Sequence, residues 1–207
     1  MSDFTLEPQN TLVVGMTGSG KTTFVLKLLL NAKPACRFIF DDLNRMWPRL
    51  KLRPCYTAAD CEAAVPGRWV AFNPSKMFPG DTKAALRWFC HWVFNCAQRG
   101  PGEKIVCIPE VWRHCTEDSI PAELALIAQA GRELGTHLVV DTQRPELVNP
   151  SITGAATELV CFKLIAPEAL RAVEKLGGEK ALVQSLPPGS FKAYNRLSGG
   201  TISGRVF

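Results

Sequence analysis

Gly15-Met-Thr-Gly-Ser-Gly-Lys-Thr22 decides the fold, because it joins the apolar run Thr11–Val14 to a segment of helical periodicity at Lys21–Leu30. Its glycines allow the backbone to wrap closely around phosphate oxygens, so that successive N–H groups point inward. A helix that begins at Gly20 or Lys21 also directs the positive end of its dipole at the same anion. The stretch therefore predicts a strand, a phosphate-binding loop and a helix, in that order.

The same stretch matches the pattern of loops that bind nucleoside triphosphates at every fixed position. The predicted ATP-binding residues are Gly15, Met16, Thr17, Gly18, Ser19, Gly20, Lys21, Thr22 and Thr23. Lys21 is expected to reach the β- and γ-phosphates and to act in catalysis, while the Thr22 hydroxyl is expected to ligate Mg²⁺. The sequence thus predicts a P-loop that hydrolyses ATP.

Strand-like and helix-like segments alternate along the rest of the chain. Predicted strands are Arg37–Phe40, Trp69–Phe72, Lys104–Ile108, His137–Val140 and Leu159–Leu164, and predicted helices are Thr82–Gln98, Pro121–Leu134 and a segment from Pro167. Asp118 or Ser119 is expected to cap the second of these helices, and Gly135 to end it. The alternation predicts an α/β fold, a mainly parallel central sheet with helices on both faces, of the RecA-like P-loop type. Ser190–Tyr194 and Thr201–Val206 predict an antiparallel C-terminal β-hairpin.

Length and composition are those of a globular protein. The 207 residues suit a single domain, predicted here to span 1–207, and 46% hydrophobic with 21% charged residues argues against disorder. No run approaches the ~18–20 apolar residues that cross a bilayer, and the first ten residues, MSDFTLEPQN, lack the apolar core of a signal peptide. We therefore expect a protein that is not secreted. The net charge of +5 is compatible with a polyanionic partner but does not require one.

Eight cysteines are present, and none forms a C-x-x-C pair. One interpretation is a metal cluster built from Cys107, His114 and Cys115 with Cys90 and His91, but this spacing fits no zinc pattern. The other interpretation is a set of free thiols buried as small hydrophobic groups, which several positions inside apolar runs favour.

Acidic and amide side chains follow several of the predicted strands. Glu110 follows Lys104–Ile108 and is the candidate for activating the attacking water, although Pro109 stands where a second acidic residue is expected. Asp41 and Asp42, after the second strand, are candidates for the missing metal carboxylate. Gln143 is the candidate sensor of the γ-phosphate or of the water.

Several segments together resemble the FtsK/HerA superfamily of P-loop DNA pumps. Gly15–Thr23 is similar to its nucleotide loop, Phe40-Asp41-Asp42 to its second-strand tip, and Ala130–Pro145, with Gly131-Arg132 and Thr142-Gln143-Arg144-Pro145, to its sensor stretch. Leu186-Pro-Pro-Gly189 and the hairpin resemble its closing strands. The compact length is similar to that of DNA-packaging ATPases of tailless icosahedral viruses with an internal membrane.

This resemblance implies an ATP-driven translocase that packages double-stranded DNA into a preformed capsid, without reading its sequence. It implies a homo-oligomeric ring, expected to be a hexamer, docked on capsid or membrane-vertex proteins in the host cytoplasm or at the virion vertex. An arginine finger is also implied, with Arg132 as first choice and Arg144 as second. Pro109, and Glu158 where some relatives carry arginine, depart from the family pattern.

Two questions stay open in the sequence. The basic run Arg45, Arg49, Lys51 and Arg53 around Trp47, and Lys76 in the loop Asn73–Asp81, either line a DNA pore or form a solvated face. The alternative functions are a nucleotide or small-molecule kinase, and an ATPase for phage extrusion or DNA transfer. No arginine-rich lid is evident, which disfavours a kinase.

Overall fold

A computed structural model describes residues 9–116 and 118–207. Its strands are β1 (Thr11–Val14), β2 (Cys36–Phe40), β3 (Trp69–Phe72), β4 (Lys104–Ile108), β5 (Thr136–Thr142), β6 (Glu158–Phe162), β7 (Ser190–Asn195) and β8 (Thr201–Arg205). Its helices are α1 (Lys21–Asn31), α2 (Ala58–Ala64), α3 (Thr82–Arg99), α4 (Ala122–Ala130), α5 (Pro150–Ala155), α6 (Pro167–Lys175) and α7 (Lys180–Ser185). Short 3₁₀ turns lie between them.

The eight strands form one sheet in the order β3-β2-β4-β5-β1-β6-β7-β8. All pairings from β3 to β6 are parallel, and β7 and β8 add an antiparallel hairpin at one edge. This confirms the predicted α/β class with its C-terminal hairpin. Because β1 lies between β5 and β6, the loop that leaves β1 has the carboxyl ends of both neighbours beside it.

Side chains alternate between two cores, one on each face of the sheet. Val13 and Val139 pack with Phe24 and Leu29 of α1 on one face. Leu12 and Val140 pack on the other face, where the core includes residues of α3, α4 and α6. Both faces are covered as predicted, and α1 covers the face beneath the phosphate-binding loop.

The expected cap of the helix after residue 120 is wrong. The helix begins at Ala122 with Pro121 at its N-cap and no side-chain hydrogen bond. Ser119 instead exchanges two backbone hydrogen bonds with Thr116, which turns the chain before the helix starts. Gly135 does end the segment, in the left-handed conformation at φ 59°.

Three short helices were not predicted: α2, α5 and α7. No described helix is both long and apolar enough to span a bilayer. The prediction that the N-terminus lacks a signal peptide falls largely on residues 1–8, which lie outside the described residues.

Candidate active site

The phosphate-binding loop is tied to both strands beside β1. Gly15 N donates to Thr142 O at 3.2 Å, and Met16 N donates to Lys163 O at 2.8 Å. A Cβ at Gly15 would lie 2.6 Å from Phe162 Cβ, and Gly20 has a φ of 113°. Only glycine fits these two positions, because one has no room for a side chain and the other has a left-handed backbone.

The loop has the features of an anion site. Ser19 Oγ is buried and has no hydrogen-bond partner among the described residues. The N-terminus of α1 has no side-chain cap and no acidic residue in its first turn, so its positive dipole end is not neutralised. Lys21 Nζ donates to Gly15 O at 2.8 Å and to Met16 O at 3.2 Å. These residues fit a triphosphate, because the Ser19 hydroxyl and one N–H group of Lys21 Nζ have no hydrogen-bond partner among the described residues.

Glu110 and Gln143 are brought together beside this loop. Gln143 Nε2 donates to Glu110 Oε1 at 2.7 Å, and Trp112 Nε1 donates to Glu110 Oε2 at 2.9 Å. The Thr17 hydroxyl donates to Gln143 Oε1, which connects the phosphate-binding loop to the pair. Glu110 is 5% exposed and has a left-handed backbone at φ 49°. The carboxylate is therefore held by specific donors at the end of β4 rather than solvated.

Asp141 is a site residue that the sequence reasoning missed. It lies inside β5, is 3% exposed, and its Oδ1 accepts the Glu110 N–H at 3.1 Å. Burial, and then the charge of Glu110, raises the pKa of Asp141 to about 6, against an opposing effect of Lys21. Burial lowers the pKa of Lys21, and Asp141 is the largest influence that opposes this shift. The available signal was an acidic residue directly after the predicted strand His137–Val140.

Asp41 is not brought to the P-loop, because β4 and β5 lie between β2 and β1. Three strand spacings amount to about 14 Å. The carboxylate of Asp41 instead accepts the backbone N–H groups of Arg45, Met46 and Trp47 at 2.8, 2.9 and 2.8 Å. Its role in this structure is to shape the loop after β2.

Asp42 is also engaged elsewhere. It accepts from Arg113 Nη1 at 2.9 Å and lies 3.5 Å from Nε2 of the buried His114. This geometry gives no support to a metal role for Asp41 or Asp42.

The two candidate arginine fingers flank the two ends of β5: Arg132 precedes the strand and Arg144 follows it. Arg132 is exposed in the Gly131–Leu134 turn before β5, and the length of β5 puts it about 20 Å from its own P-loop. Arg144 follows β5 beside the site, where its Nε lies 3.2 Å from Glu146 Oε1 and its guanidinium lies 5.5 Å from the centre of the Trp112 ring. A finger acts on a neighbouring subunit, so both assignments stay predictions.

Glu158, the departure at the start of β6, is buried and accepts a hydrogen bond from Asn195 of β7. Burial raises its pKa. Its contacts are those of a residue that fastens the hairpin to the parallel sheet.

No metal cluster accompanies the cysteines. All eight are free thiols, seven of them buried, and burial raises the pKa of Cys90 and Cys107 well above the ordinary value. Within the described residues, no group of three or more His, Cys, Asp or Glu side chains is placed to hold a metal ion. A Mg²⁺ ion at the P-loop would therefore depend on phosphate oxygens for part of its ligand set, as is usual for this ion.

The sheet order, the glycine-rich loop after β1 and the acidic residue after β4 define the class: the chain has the architecture of a P-loop ATPase. It is similar to the genome packaging NTPase B204 from Sulfolobus turreted icosahedral virus 2 in complex with ATP-γ-S, at 20% identity and a TM-score of 0.75, over 98% of this chain and 100% of that one. It is similar to B204, the DNA-packaging ATPase from Sulfolobus turreted icosahedral virus, at 18% identity and a TM-score of 0.73, over 97% and 98% of the two chains.

A third similar structure is VirB4 of Thermoanaerobacter pseudethanolicus, at 10% identity and a TM-score of 0.72, over 96% of this chain and 89% of that one. No protein-family model and no curated protein sequence matches the chain. At these identities the likeness establishes the fold alone.

Proposed function

We propose that this protein hydrolyses ATP to translocate double-stranded DNA, and that it packages a viral genome into a preformed capsid. The observation that carries the proposal is the chain of hydrogen bonds from the P-loop through Thr17 and Gln143 to Glu110. It joins a triphosphate site to a buried carboxylate, which is what water activation requires. The similar structures named above add support, since two of them are described as packaging enzymes.

The residues of the site have distinct roles in the proposed reaction. Lys21 leaves the loop carbonyls to neutralise the β- and γ-phosphates, and the backbone N–H groups of the loop orient them. Glu110 accepts the proton of the attacking water, and Gln143 reports the presence of the γ-phosphate to it. The Thr22 hydroxyl, with the phosphates, would hold Mg²⁺, which would supply charge stabilisation.

A basic face near the β2 and β3 end of the sheet is the proposed DNA contact. It consists of the exposed cations Arg45, Arg49, Lys51, Arg53 and Lys76. The two segments that carry it touch, because Asn73 Nδ2 donates to Asn44 Oδ1 and Lys76 Nζ lies 4.5 Å from the centre of the Tyr56 ring. Clustered cations of this kind bind the phosphate backbone without reading sequence.

The basic face also reaches the acidic centre of the site. Arg45 Nη1 lies 3.9 Å from Glu110 Oε1, and the loop that carries Arg45 is shaped by the carboxylate of Asp41. DNA phosphates that draw Arg45 away would free Glu110 to act on water. This contact supplies a route from DNA binding to hydrolysis.

The proposed assembly is a homo-oligomeric ring, expected to be a hexamer, at a capsid or membrane vertex or in the host cytoplasm.

The steady-state rate of ATP hydrolysis with and without double-stranded DNA tests the function. We expect DNA to stimulate hydrolysis several-fold, and Lys21→Ala to abolish both rates because the phosphates lose their buried cation. Hydrolysis that ignores DNA, or phosphate transfer to a small acceptor, would contradict the proposal and favour a kinase.

Equilibrium DNA binding, measured at several salt concentrations, tests the basic face. The double variant Arg49→Gln/Arg53→Gln should weaken DNA binding and reduce the slope of log affinity against log salt by about 2, or about 0.9 for each lost phosphate contact. The matched control is Lys175→Gln/Lys180→Gln, which removes the same charge from exposed positions on α6 and α7. Equal effects of the two double variants would exclude the basic face as the contact surface.

A further inference from the structure

The acidic position that Pro109 leaves without a carboxylate has a neighbour on the next strand. β4 and β5 pair in register, with Cys107 opposite Val139 and Ile108 opposite Val140. One further step of this register places Pro109 opposite Asp141. Cys107 and Val139 both pack on the face that α1 covers, so alternation along β5 directs Asp141 to that same face, while Pro109 follows the end of β4.

The backbone of Asp141 lies one strand nearer to β1, the strand that leads into the P-loop, than the backbone of β4 does. β5 pairs directly with β1, with Asp141 opposite Val13, whereas β4 is separated from β1 by β5. A carboxylate moved from position 109 to position 141 therefore moves one strand, about 4.8 Å, towards the loop. Lys21, from the loop, is the cation that acts on it most strongly.

Asp141 also holds Glu110 in place. Its Oδ1 accepts the Glu110 N–H, and Glu110 has a left-handed backbone, which is uncommon for residues other than glycine. One carboxylate thus fixes the direction of the other. The two acidic groups and Lys21 form a buried cluster with two potential negative charges and one positive charge, and this net negative charge favours a bound cation.

We infer that Asp141 supplies, from β5, the carboxylate that Pro109 cannot supply from β4, and that it assists Thr22 in holding the divalent cation of the bound nucleotide. The inference rests on the proposed ATP site and deepens it. It replaces Asp41 and Asp42, both engaged elsewhere, as the compensating acidic residue.

The dissociation constant of ATP-γ-S, measured with Mg²⁺ and with EDTA, tests the inference apart from activity. The wild-type protein should bind more tightly with Mg²⁺. In Asp141→Asn the ratio of the dissociation constant in EDTA to that in Mg²⁺ should fall by about 10–100-fold, because one negative charge is removed. The affinity in EDTA should not change, because Asn preserves the acceptor for the Glu110 N–H. The double variant Pro109→Asp/Asp141→Asn, which returns the carboxylate to β4, should recover the gain.

Asp42→Asn is the matched control and should keep the full Mg²⁺ gain. A wild-type Mg²⁺ gain in Asp141→Asn, or a loss in Asp42→Asn instead, would overturn the inference. Loss of binding in Asp141→Asn both with Mg²⁺ and with EDTA would also overturn it, because Asp141 would then maintain the loop rather than the cation. Lys21→Ala separates the two levels: if it binds ATP-γ-S as the wild type does, the ATP site itself is misplaced and the proposed function fails.

Discussion

Glu110→Gln should reduce ATP hydrolysis by about 100-fold or more while ATP-γ-S still binds with near wild-type affinity. General-base catalysis contributes ~10²–10⁴-fold to such reactions, and an amide cannot accept the proton of the attacking water. The substitution keeps the size of the side chain, and its oxygen can still accept from Gln143 or Trp112. Single-turnover hydrolysis together with equilibrium binding separates the loss of chemistry from a loss of affinity.

The control for this variant is Glu168→Gln, which removes the same charge from an exposed residue of α6 paired with Arg171. It should hydrolyse ATP at the wild-type rate. A Glu110→Gln protein whose rate stays within about threefold of the wild type would exclude Glu110 as the base, since even the smallest general-base contribution is larger.

Arg132→Ala should lower hydrolysis by about 10³-fold, and its activity should return when it is mixed with Lys21→Ala. An arginine finger contributes ~10³–10⁵-fold by stabilising charge on a neighbour's γ-phosphate. Arg132 precedes β5, at the opposite end of the parallel strands from its own P-loop. It could therefore contact a γ-phosphate only in the site of another subunit. In a mixed ring, some sites combine the intact P-loop of one variant with the intact arginine of the other.

Arg144→Ala, the second choice, provides the comparison in the same mixing experiment. If it regains activity with Lys21→Ala while Arg132→Ala does not, the finger is Arg144. If neither variant loses activity alone, the expectation of a finger at these positions is wrong. The mixtures should be formed from subunits exchanged at low protein concentration, with the unmixed variants assayed in parallel.

The sequence predicted most of the parallel sheet, because each strand is a short apolar run beside a turn or a helix. It did not predict the short helices α2 and α5, whose starts depend on local hydrogen bonds. Thr57 and Asp60 form a reciprocal cap around α2, and Asn149 caps α5 ahead of Pro150. Neither helix has more than one large apolar residue, so helical periodicity had little to detect.

The site was predicted in part for a different reason. Glu110 and Gln143 each follow an apolar strand, so their position at one edge of the sheet could be inferred from the sequence. Asp41 and Asp42 were the predicted replacements for the carboxylate absent at Pro109, because they follow a predicted strand. The lateral order of the strands could not be read from the sequence. In the observed order β2-β4-β5-β1, Asp41 lies three strands from the P-loop strand and Asp141 lies on the strand next to it.

The burial of Asp141 has a consequence for the stability of the nucleotide-free fold. Its pKa rises from the ordinary value of 3.8 to about 6 on folding, so between these pH values the folded chain holds a proton that the unfolded chain has released. The contribution of Asp141 to the free energy of unfolding therefore falls as pH rises through this window, by on the order of 3 kcal/mol, and nearly all of this loss has occurred by about pH 7. Denaturant unfolding in EDTA at pH 4.5 and pH 7.5 should show a decrease in the wild type that is larger by about 2 kcal/mol than the decrease in Asp141→Asn. At neutral pH the charged Asp141 thus lowers the free energy of unfolding of the nucleotide-free protein. A cation bound by Asp141 would offset this loss.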